Sequence, residues 1–172
     1  MAYVNILIMK YLVAIAALAA ALSCSAGAQT KEKIYDESID RMAQIDNAVA
    51  KAKSEGKFVV CQLGGNWCPW CIKFAKFITA DAEISKLIQD NFIYIHVNYN
   101  PRQDSTPEAK AASAKVLKRL GNAGRFGYPV MVVLNGDGKV IHIQDSALLE
   151  EGDGYNKEKV IRFFSNWIPS KI

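Results

Sequence analysis

Only two of the 172 residues are histidine and four are cysteine, and the cysteines supply a single C-x-x-C pair, Cys68 and Cys71. A structural zinc site takes about four ligands, so one such pair with no closely spaced histidines makes zinc a minor reading. Charge of one sign is also scarce. The chain carries 21 basic and 17 acidic residues, a formal +4 scattered along its length. That describes a solvated surface, not a nucleic-acid footprint. The apolar run from Tyr11 to Leu22 falls short of the ~20 residues that cross a bilayer. Neither Asn135-Gly-Asp-Gly138 nor Gly152-Asp-Gly154 has the spaced carboxylates of a calcium loop, and both read as turns. Five prolines, about half hydrophobic residues, and no internal repeat or low-complexity tract leave one globular domain.

The amino-terminal segment stands apart from that domain. Lys10, the apolar run, and the small residues ending Ala26-Gly27-Ala28 form the charge, core and A-x-A order of a secretory signal. Residues 1–28 are therefore expected to be removed, leaving a mature domain over 29–172 that begins at Gln29. Met9-Lys10 makes a more ordinary start than Met1. A lipidated Cys24 is the lesser alternative, because Ala21 stands where a leucine is expected. The expected location is exported, periplasmic or secreted, with membrane association only if the segment is retained or Cys24 is lipidated. After cleavage three cysteines remain, Cys61, Cys68 and Cys71. An odd count in an oxidising compartment argues for a redox pair plus one buried thiol.

The mature chain reads as alternating elements. Ile39, Met42, Ile45, Val49 and Ala52 predict an amphipathic helix from about Asp36 to Glu55, stopped by Gly56. Phe58 to Leu63 reads as a strand buried on both faces, and Phe92 to Val97 as a second interior strand. Between them, Phe74, Phe77 and Ile78 continue a helix after the cysteines, and Asp81 caps another carrying Ile84, Leu87 and Ile88. Thr106-Pro107 opens a helix with Ala109, Ala112, Val116, Leu117 and Leu120 inward and Gly121 as its stop. Val130 to Leu134 and Lys139 to Ile143 form an antiparallel hairpin around Asn135-Gly-Asp-Gly138, with glycines at positive φ. Asn156 caps a last helix with Val160, Ile161, Phe164, Trp167 and Ile168 inward, ended by Pro169. This order specifies an α/β fold with a mixed sheet of about four strands, helices on both faces and a helix before the first strand.

The chemistry lies in Trp67-Cys-Pro-Trp-Cys71, at the turn from the first strand into a helix. Unpaired amides and the helix dipole there favour a thiolate at Cys68, and Pro69 suits a first turn that needs no amide donor. Cys71, three residues on, returns to the same face within reach but more enclosed. One sulfur is placed to attack and the other to resolve. Cys61, inside an apolar strand, reads as a small buried hydrophobe, and His96 and His142 as satisfied or edge residues of strands.

Through Trp67-Cys-Pro-Trp-Cys71, Tyr128-Pro129 before a strand, and the hairpin with closing helix, the mature chain resembles the exported members of the thioredoxin superfamily. The resemblance implies a thioredoxin-like fold, Cys68 as nucleophile, Cys71 as resolving thiol, and Pro129 as a cis-proline beside the cysteines. Trp67, Pro69, Trp70, Tyr128 and Pro129 would form the surface that meets a substrate polypeptide. It further implies a protein disulfide as substrate, a separate redox partner, a monomer, and no cofactor or metal beyond the Cys68-Cys71 pair. Three departures from thioredoxin stand out. Pro69-Trp70 replaces the Gly-Pro that helps set the reduction potential. Gln62 occupies the position of a buried aspartate that takes a proton from the resolving thiol, which glutamine cannot do. The stretch from Asn98 to Arg125 is longer and is a candidate partner surface. Two functions follow: protein thiol-disulfide exchange, with the reductase direction preferred, or a binding module (chaperone, metal carrier or assembly factor) on the same fold without turnover.

Overall fold

Asp40 sets the start of the first helix. Its carboxylate accepts the amides of Met42 and Ala43 at 2.8 and 3.0 Å, the N-cap arrangement, and α1 runs Arg41–Glu55 to Gly56 at φ 65°. The structure, a computed structural model, describes residues 33–102 and 106–172. The expected leader at 1–28, the Met1 or Met9 start, Cys24 and Gln29 lie outside the described residues.

Helix α1 begins later than the expected Asp36. Asp36 instead closes its own turn, accepting the Ser38 amide at 2.9 Å, which leaves Ile39 outside the helix and 41% exposed. The chain continues through β1 (Phe58–Gly64), α2 (Pro69–Ala80), α3 (Ala82–Asn91), β2 (Phe92–Asn98), α4 (Pro107–Arg119), β3 (Val130–Leu134), β4 (Val140–Asp145), a short ribbon β5 (Glu150–Glu151) and β6 (Gly154–Tyr155), and α5 (Lys157–Asn166). Asp81, Thr106 and Asn156 cap α3, α4 and α5 as their sequence positions require. Strand β4 is displaced by a residue or two from the expected Lys139 to Ile143. In its hairpin only Gly138 takes a positive φ, because Asn135 accepts the amides of Asp137 and Lys139 and closes the turn itself.

The four long strands form one mixed sheet in the order β2-β1-β3-β4, with β1 parallel to β2 and antiparallel to β3. Pleating sorts the core into two halves. Val59, Cys61, Leu63, Val130, Val132 and Leu134 face α1 and α4. Val60, Met131 and Val133 face α2, α3 and α5. The α/β class with helices on both faces is as expected.

Several expected placements change. Among the described residues β2 is an outer strand, not an interior one; its apolar character comes from helices covering both faces. On α4 Ser113 is buried along with Val116 and accepts from Arg41 Nη1 at 2.9 Å, while Ala112 faces solvent. On α5, Phe163 is buried beside Phe164 and Val160. Pro169 opens a short 3-10 turn, Pro169–Lys171. The two histidines fall on the outer strands, His96 on β2 and His142 on β4, the latter stacked on Trp167 at 4.3 Å.

Candidate active site

After Gly64 the chain turns through Gly65, Asn66 and Trp67 and enters α2 at Pro69. Cys68 is the N-cap of that helix, and its sulfur occupies the place a serine or aspartate oxygen usually takes. The Cys71 amide donates to Cys68 Sγ at 3.1 Å. A negative sulfur there is favoured by that donor and by the positive end of the helix. Cys68 and Cys71 are joined by a disulfide. Cys68 is 4% exposed and Cys71 fully buried, so a partner can approach Cys68 only.

Each residue expected at the site can now be placed. Trp67, Trp70 and Tyr128 pack partly buried against the two cysteines. Trp67 Nε1 donates to the Tyr99 carbonyl at 2.8 Å, and its ring meets Tyr128 edge-on at 5.5 Å. Trp70 lies edge-on to Tyr155 at 5.5 Å under the ammonium of Lys73. The Tyr128-Pro129 peptide bond is cis, with the Tyr128 carbonyl oxygen 3.7 Å from Cys68 Sγ. Pro129 is buried, whereas Pro69 stands exposed on the first turn of α2. The long 98–125 stretch contributes Tyr99, stacked on Tyr128 at 5.5 Å. Its helix α4 serves mainly the sheet core.

Gln62 lies beneath Cys71, completely buried, in a polar cluster. Its Nε2 donates to the Cys71 carbonyl at 3.0 Å and to Tyr35 Oη at 2.5 Å, and its Oε1 accepts from Tyr94 Oη at 2.6 Å. Tyr35 comes from the segment before α1. Asn66 pins that segment, accepting the amides of Ile34 and Tyr35 and donating to the Tyr35 carbonyl at 2.8 Å. His96 meets the Tyr35 and Tyr94 rings edge-on. Burial lowers its pKa to about 4, and its Nε2 has no hydrogen-bond partner among the described residues. Cys61 points into the opposite core half, and burial pushes its thiol up to about 12.

Sequence reasoning missed Tyr35, Asn66, Tyr94 and Tyr155. Tyr155 belongs to the β5-β6 ribbon, which holds the first turns of α2 through Tyr155 Oη to the Trp70 carbonyl at 3.3 Å and Lys73 to Asp153 at 2.8 Å. No group of metal-ligating side chains occurs among the described residues, and no helix among them is long and apolar enough to cross a membrane.

Comparison with known proteins places this geometry among relatives. A family model described as Thioredox_DsbH (Protein of unknown function, DUF255) matches residues 28–161. The thiol:disulfide interchange protein DsbD of Colwellia psychrerythraea is 31% identical over 72 residues, which is 42% of this chain. The chain spans only 12% of that protein's length. A crystal structure of a disulphide isomerase from Xylella fastidiosa Temecula1 superimposes with a TM-score of 0.63 at 23% identity, covering 77% of this chain and 94% of the other. That likeness is one of fold, and the thioredoxin-like fold class is the one expected from sequence.

Proposed function

Because the chain belongs to the Thioredox_DsbH family, we propose that it is a protein thiol-disulfide oxidoreductase with Cys68 as nucleophile and Cys71 as resolving thiol. The observation that carries this reading is a sulfur at a helix N-cap, 3.1 Å from a donating amide, with a second sulfur bonded to it from below. The Cys68 thiolate attacks one sulfur of a partner's disulfide. That bond breaks, its electron pair leaves on the other sulfur, and this sulfur takes a proton. Cys71 gives up its proton and attacks Cys68 Sγ, expelling the partner's first sulfur. The partner disulfide has gained two electrons and the Cys68-Cys71 pair has lost two, so a separate dithiol partner must reduce the pair again.

Trp67, Trp70 and Tyr128 form the surface against which the substrate chain lies, with the buried Pro129 behind it and Pro69 at its exposed rim. The reductase direction is preferred on resemblance to exported relatives. Export after loss of residues 1–28 supplies the oxidising compartment in which such a reductase has substrates.

The test is Cys68-dependent reduction of insulin by the dithiol form, with Cys68→Ser as control. Cys71→Ser should accumulate a mixed disulfide with partner proteins in cells. Sustained insulin reduction by Cys68→Ser, or no covalent partner on Cys71→Ser, overturns the reading. A binding module without turnover would retain a partner that reducing agent does not release.

A further inference from the structure

Gln62 stands where thioredoxin carries a buried carboxylate, and a glutamine amide cannot take a proton. The Cys71 carbonyl can only accept a hydrogen bond, and it lies 3.0 Å from Gln62 Nε2. This fixes the amide, with Nε2 toward Cys71 and Tyr35 and Oε1 toward Tyr94. Tyr35 Oη therefore uses a lone pair to accept from Gln62, and its own proton is left to donate elsewhere. Tyr35, 1% exposed, shares one buried cluster with Cys68 and Cys71. The Tyr35 hydroxyl and the Cys71 sulfur both crowd the space beside the Gly64 Cα that a methyl group there would fill.

We propose that Tyr35 is the hydrogen-bond donor to Cys71 in the resolving step, its O–H turning onto the Cys71 sulfur once the disulfide opens. The inference rests on the oxidoreductase reading above. In the mixed disulfide the Cys71 thiol releases its proton to water, and the thiolate, held by the Tyr35 O–H, attacks Cys68 Sγ. The Cys68-partner bond breaks, and the partner's sulfur leaves with the electron pair and is protonated by water. Tyr35 keeps its proton throughout, consistent with burial holding its hydroxyl well above the ordinary tyrosine range. It stabilises an anion where thioredoxin's carboxylate would accept a proton. Among the described residues, Cys68 at the N-cap of α2, Tyr94 and His96 from β2, Tyr128 from before β3 and Tyr155 from β6 are the other titratable groups that act on this pocket. Burial keeps His96 neutral above about pH 4 and raises the three tyrosines, so titration of Cys71 between neutral and alkaline pH reports its own thiol.

The experiment follows the carbon-13 resonance of Cys71 Cβ against pH in Cys68→Ser, with and without Tyr35→Phe, a readout that needs no reagent to reach the buried sulfur. Phenylalanine keeps the ring and its packing and removes only the O–H. The midpoint should rise by about one to two pH units, as expected on losing a hydrogen bond to a charged sulfur. In protein with both cysteines, Tyr35→Phe should slow release of the mixed disulfide by about threefold to fifteenfold, because the smaller thiolate fraction is offset about half by the greater nucleophilicity of a more basic sulfur. Its rate of Cys68 attack should stay within about twofold. Tyr35→3-fluorotyrosine, a near-isosteric and stronger donor, should move the midpoint down, and it serves alone if the phenylalanine variant does not fold. Midpoints that stay within about 0.3 unit in the folded variants overturn the proposal. If the midpoint moves but the unaltered protein shows no Cys68-dependent insulin reduction, the donor stands and the oxidoreductase reading falls. If insulin is reduced and the midpoint does not move, Tyr35 alone is refuted.

Discussion

Replacing Gln62 by methionine tests whether the polar cluster under the cysteines is held by its hydrogen bonds or only by its shape. Methionine matches glutamine closely in length and volume, so packing changes little. Three bonds disappear, to Tyr35 Oη, the Cys71 carbonyl and Tyr94 Oη. Tyr94 loses the acceptor for its hydroxyl. Tyr35 loses a donor but keeps its proton for another use, and the Cys71 carbonyl keeps one lone pair. A stranded buried hydroxyl costs about 1–3 kcal/mol and an ordinary lost bond about 0.5–1.5, so the net loss is about 3 kcal/mol. Urea unfolding of the oxidised protein at pH 7 measures it. With a slope of about 2 kcal/mol per M, the midpoint should fall by about 1.5 M while the slope is unchanged. Adding Tyr35→Phe and Tyr94→Phe removes the stranded Tyr94 hydroxyl and the Tyr35 hydroxyl that has lost its donor, and should recover more than half of that loss. A single variant that loses less than about 1 kcal/mol, or a triple variant no more stable than the single, refutes the reasoning.

Acidification should expose His96. Its folded pKa of about 4 lies below its ordinary 6.5, so between these values the unfolded chain binds the extra proton. Stability is then full above about pH 6.5 and lost as pH falls toward 4, by about 1–3 kcal/mol, and His96→Phe should flatten the pH dependence of urea unfolding across that window. Cys61 should stay unmodified when the reduced native protein is treated with iodoacetamide at pH 8, since burial raises its thiol to about 12. Mass spectrometry that finds it labelled before unfolding contradicts this placement. Asn66→Ala removes three bonds to Ile34 and Tyr35 and should cost about 2 kcal/mol. It should also speed proteolytic cleavage between residues 33 and 38, and an unchanged cleavage rate would show that Asn66 does not hold this segment.

What could be read from the sequence was local. Cys68 as the start of a helix follows from a strand, a glycine turn and Pro69, all within a few residues. Asp81, Thr106 and Asn156 cap their helices for equally local reasons. The first helix was expected from about Asp36, but the nearby Ser38 lets Asp36 make its own turn, and Asp40 caps the helix instead. The position of β2 was hidden because an outer strand covered on both faces is as apolar as an inner one. Tyr35 was hidden for a different reason. It precedes every periodic element and is held by a side chain 31 positions later, and no spacing rule reaches that far. Gln62 was recognised as a departure, but its meaning lay in Tyr35 and Tyr94, which come from other parts of the chain.

The sulfur of Cys68 is also the first fastening of its own helix, because the Cys71 amide rests on it. Every covalent change at that atom is therefore felt by one backbone proton a turn away. The nitrogen-15 resonance of Cys71 should separate thiolate, mixed disulfide and closed ring as three signals, giving the protein an internal gauge of its oxidation state with no attached dye.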